Sequence, residues 1–339
     1  MKKAIITGIT GQDGAYLAEL LLADGYTIIG TYREGSSGKL WRLSELGILN
    51  HPLLKLIQYD YEDLNSALAI IDYYEPDEIY NLAALSSVGL SFVEPIVTAK
   101  VTGIGPLYLL EAIRTRNEKI RFYQASTCEI FGKAQKIPQD ESTAFYPRSP
   151  YGVSKLFAHW LTINYRESYN LFACSGILFN HESPLRGKEF VTRKITDSVA
   201  KIKYGKLEAL RMGNIDARRD WGFAKEYVEG MRRIMSSNIP STYILATNRT
   251  ESVRYFLTTA FSYIGVDLIW QGEGLDEKGI DRMTGKALVS IDPAYYRPSE
   301  VDILLGDSRK AETELGWKAT TTMEELCGIM MEADLRRNS

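Results

Sequence analysis

Tyr151 and Lys155 stand one helical turn apart, and a tyrosine and lysine at that spacing can do acid–base chemistry. The ammonium can lie beside the phenol and favour its ionised form, which makes Tyr151 a candidate base. Thr127 follows a stretch that reads as a strand over 120–125, and its hydroxyl can bind the same substrate oxygen. Glu129, on the same loop, brings a carboxylate next to the phenol. Proton abstraction is the chemistry these four side chains would share. The same spacing also occurs on solvated helix faces, so the pair gains its meaning from the rest of the chain.

The elements that must position these residues begin at once. Residues 3–7 read as a short apolar strand, and Gly8-Ile9-Thr10-Gly11-Gln12-Asp13-Gly14 turns into an amphipathic helix over 15–23. Glycines at these positions permit a tight turn, a close approach to a pyrophosphate and close packing of helix on sheet. Gly8, Gly11, Gln12, Asp13 and Gly14 are therefore the candidate dinucleotide turn. The second strand, 26–32, ends without the carboxylate that would bind an NAD ribose. Arg33 with Ser36 suits a 2′-phosphate instead, so NADP is favoured over NAD, although Glu34 opposes a phosphate unless it pairs with Arg33.

A third strand over 54–59 leads to Asp60, placed to meet an adenine edge, and a helix is expected over 64–74. A fourth strand over 78–84 runs into Leu82, Ala83 and Ala84, small enough in sum for a cofactor to lie on the backbone. The loop 85–89 then falls at the carboxyl edge of the sheet, where open α/β folds bind ligands. A long helix over 95–115, a strand over 121–125, the helix bearing Tyr151 and a strand over 173–179 complete the alternation. The fold expected is α/β: a Rossmann-type, doubly wound parallel sheet over 1–180 with a smaller C-terminal α/β substrate lobe mainly over 181–339, the chain crossing back after 180.

Composition bounds the partners. The 339 residues are 45% hydrophobic and 24% charged, with a net charge of −3, so no general attraction for nucleic acid or an anionic membrane is expected. Three widely spaced cysteines fit neither a disulfide framework nor a zinc site, no other metal site is read, and a cytoplasmic setting is expected. No signal-peptide core or apolar run of membrane-spanning length is read from the sequence.

Several longer motifs carry a resemblance. Ile6 to Gly14, Ser149-Pro150-Tyr151-Gly152-Val153-Ser154-Lys155, Gly176 to Pro184, Phe190 to Thr196, Gly213 to Gly222 and Tyr296 to Asp302 together resemble the extended short-chain dehydrogenase/reductase superfamily, and within it the GDP-mannose 4,6-dehydratase family. The first motif fits any member of the superfamily; the last four are specific to the nucleotide-sugar branch. The resemblance implies a redox-neutral dehydration of a GDP-sugar on NADP, with Tyr151 as base, its pKa lowered by Lys155 and the nicotinamide charge, Thr127 beside it, and Glu129 removing the proton at C5. It implies that Arg219 and Arg297 clamp the diphosphate with help from Asn180, that Val191 and Lys194 face guanine, that Glu300 accepts from a ribose hydroxyl, and that Ser86 and Asn214 belong to the substrate site. A homodimer or homotetramer is also implied.

The chain departs from the family pattern at Cys128, where a serine is usual, at Leu85 and Ser87, which replace a glutamine and a histidine, at Glu34, and at Phe223. The changes at 85 and 87 leave a GDP-heptose 4,6-dehydratase open. A nucleotide-sugar 4-reductase or epimerase would not need Glu129, and a silent nucleotide-binding subunit would need none of the four polar residues.

Overall fold

The computed structural model describes residues 1–33, 35, 38, 40–295 and 303–339. Strands β1 (Lys3–Thr7), β2 (Thr27–Tyr32), β3 (Leu54–Gln58), β4 (Glu78–Asn81), β5 (Arg121–Thr127), β6 (Ala173–Leu178) and β7 (Thr242–Leu245) form one sheet in the order β7-β6-β5-β4-β1-β2-β3. Every neighbouring pair runs parallel. Such a sheet must be covered on both faces, and the strand residues divide accordingly. Ala4, Ile6, Tyr80 and Tyr123 enter one apolar cluster, while their neighbours Ile5, Ile79 and Phe122 enter another on the opposite face.

Helices close both faces. On the first lie α1 (Gln12–Ala23), through Leu17 and Leu21, and a later helix, Ala224–Ser236, through Val228, Met231 and Ile234. On the second lie α2 (Leu64–Tyr74), through Ile70 and Ile71, α3 (Gly105–Arg116), through Leu109, Leu110 and Ile113, and α4 (Pro150–Tyr169), through Tyr165. The strand order reverses at β1, so a crevice opens beyond the carboxyl ends of β1 and β4.

The helix expected over 95–115 is three consecutive pieces: Pro95–Thr98, a π-helical turn Ala99–Ile104, and α3. This also corrects the reading that no apolar run of spanning length exists. Pro95–Arg116 is a 22-residue helical run containing an 18-residue window of mean hydropathy 1.4, and 56% of that window is buried inside the fold. It packs on α2 and α4, as a core helix does.

After β6 the chain leaves the sheet through a short strand, Asn180–Glu182, and builds α5 (Val191–Lys203) and a strand Leu210–Met212. It returns through Trp221–Phe223, which pairs in parallel with Asn180–Glu182, then makes α6 (Ala224–Ser236) and β7. The region 181–339 thus contributes a helix and the edge strand β7 to the large sheet. The second lobe is a sheet ordered Leu268–Gln271, Lys278–Asp281, Ala287–Ile291, Leu210–Met212, backed by α5, α7 (Val253–Tyr263) and α8 (Met323–Asn338). Its own core includes Phe256, Phe261, Leu326 and Met330.

Candidate active site

A cleft of about 920 Å³ lies between the carboxyl ends of the sheet and the second lobe. Its floor begins at the glycine turn. Gly8 holds φ at +70°, and a Cβ there would stand 2.9 Å from the Cα of Ala83. At Gly14 a Cβ would meet the Gly8 carbonyl at 2.6 Å, so α1 could not approach the turn with any side chain in that place. The Thr7 hydroxyl accepts the N–H groups of Leu82 and Ala83, each at 3.1 Å, and donates to Asn81 at 2.7 Å, laying 82–84 against the turn.

Gly8, Gly11, Gln12, Asp13, Gly14, Arg33, Leu82, Ala83 and Ala84 all line the cleft at the amino end of α1, and this backbone-lined cradle fits a dinucleotide's pyrophosphate. Asp60 is not among the lining residues; its carboxylate accepts the Glu62 N–H at 2.9 Å. Ser36 lies outside the described residues.

The four chemically active candidates meet at one wall. Thr127 ends β5 and accepts the Glu129 N–H at 3.3 Å, so a single tight turn carries Thr127, Cys128 and Glu129. Ser149 caps α4 by accepting the Gly152 N–H at 3.0 Å, with Pro150 opening the helix, and this brings Tyr151 and Lys155 to the same wall. Thr127, Glu129, Tyr151 and Lys155 are only 3–8% exposed, and all line the cleft.

One electrostatic expectation is opposed by burial. Burial raises the Tyr151 phenol well above its ordinary value; hydrogen bonding with Thr127 pulls it down and the charge of Glu129 pushes it up. The Lys155 Nζ donates to the Ala125 carbonyl at 2.6 Å and lies 5.9 Å from the centre of the Tyr151 ring. Burial in turn lowers Lys155 to about 8, against the upward pull of Asp13. Within the protein's own groups, desolvation therefore outweighs attraction at Tyr151.

Ser86, Asn180, Val191, Lys194, Asn214 and Arg219 line the same cleft toward the second lobe. Lys194 places its ammonium 3.3 Å from the centre of the Tyr295 ring, and burial lowers its pKa. Asn214 accepts the Asp216 N–H at 3.0 Å, and the buried Arg219 donates to the Arg218 carbonyl at 2.8 Å. The Cys128 thiol lies 3.9 Å from the Asn180 amide oxygen, and burial raises its pKa, which keeps it a protonated, weak donor. Arg297 and Glu300 lie outside the described residues.

Sequence reasoning passed over three cleft residues. His181 donates through Nε2 to the Asp13 carboxylate at 2.9 Å and through Nδ1 to the Phe179 carbonyl at 2.7 Å, stacked on Tyr227 at 4.6 Å. Burial opposes charge on both partners, yet their mutual attraction wins: His181 is raised and Asp13 is lowered to about 2. Arg186 lies 3.1 Å from Glu182, and its charge reaches Tyr151, Asp13 and His181. Arg42 donates to the carbonyls of Leu185 at 2.6 Å and Thr10 at 2.9 Å. The Asp13–His181 pair and the two Arg42 bonds join segments far apart in the chain, so no local spacing signals them.

A family model described as GDP-mannose 4,6 dehydratase matches residues 5–330. The chain is 51% identical to GDP-mannose 4,6-dehydratase of Sinorhizobium fredii strain HH103 over 98% of its own length and 97% of that protein. It is 48% identical to human GDP-mannose 4,6 dehydratase, over 98% of this chain and 91% of the human one. Among solved structures, UDP-glucose 4-epimerase of Thermotoga maritima with UDP-glucose superposes with a TM-score of 0.84 at 22% identity, covering 99% of this chain and 100% of that one. A dTDP-glucose 4,6-dehydratase from Bacillus anthracis in complex with NAD gives a TM-score of 0.80 at 19% identity, covering 98% and 96%. These two likenesses are of fold.

Proposed function

This chain belongs to the GDP-mannose 4,6-dehydratase family, and from that premise we propose that it converts GDP-mannose to GDP-4-keto-6-deoxymannose. The observation that carries the reading is the meeting of Thr127, Glu129, Tyr151 and Lys155 at one buried wall of a cleft that runs on to Lys194 and Arg219. A reductase or epimerase has no task for the carboxylate of Glu129 at that wall.

A nicotinamide dinucleotide on the glycine turn supplies hydride acceptance from C4 and hydride return to C6. NADP is favoured by Arg33 on the cleft wall directly after β2, a strand whose own last residues, Thr31 and Tyr32, include no carboxylate. Tyr151 takes the proton of the sugar's 4-hydroxyl, and the Thr127 hydroxyl holds the same oxygen. Lys155, fastened to the Ala125 carbonyl, keeps positive charge behind the phenol and fixes α4 against β5. The ketone at C4 acidifies the hydrogen at C5, and Glu129 removes it. That proton and the hydroxyl lost from C6 make up the water released, and the solvent-exchangeable proton that Tyr151 took returns to C5 as hydride reaches C6. Arg219, with Arg297 from the sequence motif, balances the diphosphate charge, and Val191 and Lys194 face the base.

The assembly follows from one exposed helix face. Val153, Phe157 and Trp160 lie along one side of α4 and are 46–55% exposed, and Leu90, Val93 and Ile96 are exposed on the short helices that pack beside it. Burying this face against a second copy makes the homodimer the favoured unit.

Proton NMR of the protein with GDP-mannose and NADP⁺ in deuterated water tests the reading. A 6-deoxy-4-keto product carrying deuterium at C5 is expected. GDP-mannose left unchanged while GDP-heptose is consumed would overturn the sugar assignment, and both left unchanged would overturn the dehydratase.

A further inference from the structure

Between the cleft-lining residues Arg219 and Trp221 stands Asp220, a carboxylate with no exposed surface. Its Oδ1 accepts the Thr247 N–H at 2.9 Å and the Thr247 hydroxyl at 2.7 Å, and its Oδ2 faces the Gly306 N–H at 3.4 Å. Three chain passages therefore meet on one side chain. The first is Arg218–Arg219 with Trp221–Phe223, where the chain passes from one small ribbon to the next. The second is the Thr247–Asn248 turn, which leads into Glu251–Ser252, the strand paired with Arg218–Arg219. The third is the segment around Gly306, in which Ile303 bridges to Arg218 and Ser308 donates to Asn248 at 2.8 Å. In the sequence this third segment directly follows the motif containing Arg297 and Glu300.

We propose that Asp220 is a positioning residue for the nucleotide-sugar end of the cleft, its ionised carboxylate holding in register the three passages that meet beside Arg219 and Trp221. The proposal rests on the nucleotide-sugar reading above. Asp220 touches no reacting atom. It works by accepting hydrogen bonds with both oxygens, which only the ionised form can do, since a protonated or amide group turns a donor toward Gly306 or Thr247.

The surroundings make this bond set titratable near neutrality. Burial raises Asp220 to about 7, against the lowering effect of the Thr247, Gly306 and Asn248 hydrogen bonds. The Cys128 thiol behind β5 and the Tyr227 phenol on α6 face it, both kept protonated by burial. Arg219 is next in the chain. On the other two passages, Arg249 is paired with Glu251 and Glu324, and Asp307 is paired with Arg309. The substrate's diphosphate is already ionised above pH 6, so a change of affinity between pH 6 and 8 reports on the protein.

The test is titration calorimetry of GDP-mannose and, separately, NADP⁺ in a series of buffers from pH 6 to pH 8, on wild type, Asp220→Asn and Thr247→Val. For wild type, the GDP-mannose Kd is expected to rise between about threefold and tenfold from pH 8 to pH 6, the worth of one hydrogen bond to a charged group. NADP⁺ affinity should not follow that change. Asp220→Asn should show the weaker GDP-mannose Kd throughout the series, with a melting temperature at pH 8 no lower than wild type. Thr247→Val, which keeps the charge but removes a bond to the ionised form, should move the midpoint of the pH change upward. An Asp220→Asn protein with wild-type affinity and wild-type pH dependence would overturn the inference alone. Wild-type protein that binds NADP⁺ but no GDP-mannose at any pH would overturn the nucleotide-sugar reading and the inference with it. If Asp220→Asn does not fold, an unmoved midpoint in Thr247→Val overturns the inference.

Discussion

The Lys155 ammonium and the Ala125 carbonyl are joined at 2.6 Å, and this bond ties the catalytic helix α4 to β5, the strand that ends in Thr127. The lysine therefore sets the distance between Thr127 and Tyr151 as well as supplying charge. Lys155→Met should lower kcat by about 10²- to 10⁴-fold, the usual worth of a proton-transfer arrangement, as should Tyr151→Phe. Calorimetric GDP affinity should be unchanged in both, and a variant that keeps wild-type kcat would remove these roles.

Glu129→Gln separates the two halves of the reaction. The carboxylate has no part in C4 oxidation, so the variant should still form reduced dinucleotide at the enzyme's single-turnover level while incorporation of solvent deuterium at C5 stops. Deuterium appearing at C5 at the wild-type rate would assign that proton transfer elsewhere.

The alkaline limb of activity is expected to belong to Lys155. Burial lowers it to about 8, so its charge is present below that pH and lost above it, and kcat/KM should fall as pH rises through this region. The negative charge of Asp13 acts upward on Lys155. Asp13→Asn should consequently move the limb to lower pH, as read from the pH–rate profile; a limb that moves upward contradicts the electrostatic assignment.

The Asp13–His181 pair contributes to stability over a defined window. His181 is raised from its ordinary 6.5, so its contribution is full below that value and is lost as pH climbs through the folded-state value. Asp13 is lowered from 3.8 to about 2, so its share is present above 3.8 and lost as pH falls toward 2. His181→Gln should cost roughly 1.5 to 3 kcal/mol at pH 5.5, as expected for a hydrogen bond to a charged group, and distinctly less at pH 9. Denaturant unfolding at the two pH values measures the difference.

The face of α4 that carries Val153, Phe157 and Trp160 gives a hydrodynamic prediction. Trp160→Glu should shift the protein toward monomer in sedimentation velocity while leaving dinucleotide affinity intact. An unchanged sedimentation coefficient would place the contact between copies on another surface.

Much of this architecture was legible because it is local. The strand β1, the glycine turn and α1 are written in one continuous stretch, and Tyr151 and Lys155 need only the helical repeat to share a wall. The helix over 95–115 was legible in extent, but its π-helical turn was not, because an extra residue per turn leaves no mark in the apolar pattern. The lowered phenol pKa expected at Tyr151 is opposed by burial, which spacing does not show, because spacing tells which groups are near and not how much water each has lost. His181, Arg186 and Asp220 are functional candidates only in three dimensions. His181 meets Asp13 and Asp220 meets Gly306 across long intervals of sequence, as Gln12 meets Ser183 at 2.7 Å, and no periodicity encodes such meetings.

Asn180–Glu182 and Trp221–Phe223 lie side by side in parallel, and Asn180 and Trp221 both border the cleft. Main-chain bonding there stitches the outgoing and returning passages of the chain together at the root of the two lobes. The cleft cannot gape like a hinged jaw from that root without tearing the seam. Adjustment to a substrate must come instead from its rim, in the chain after Ser183 that carries Arg186, Val191 and Lys194, so the molecule should grip its ligand by the lip while the base stays rigid.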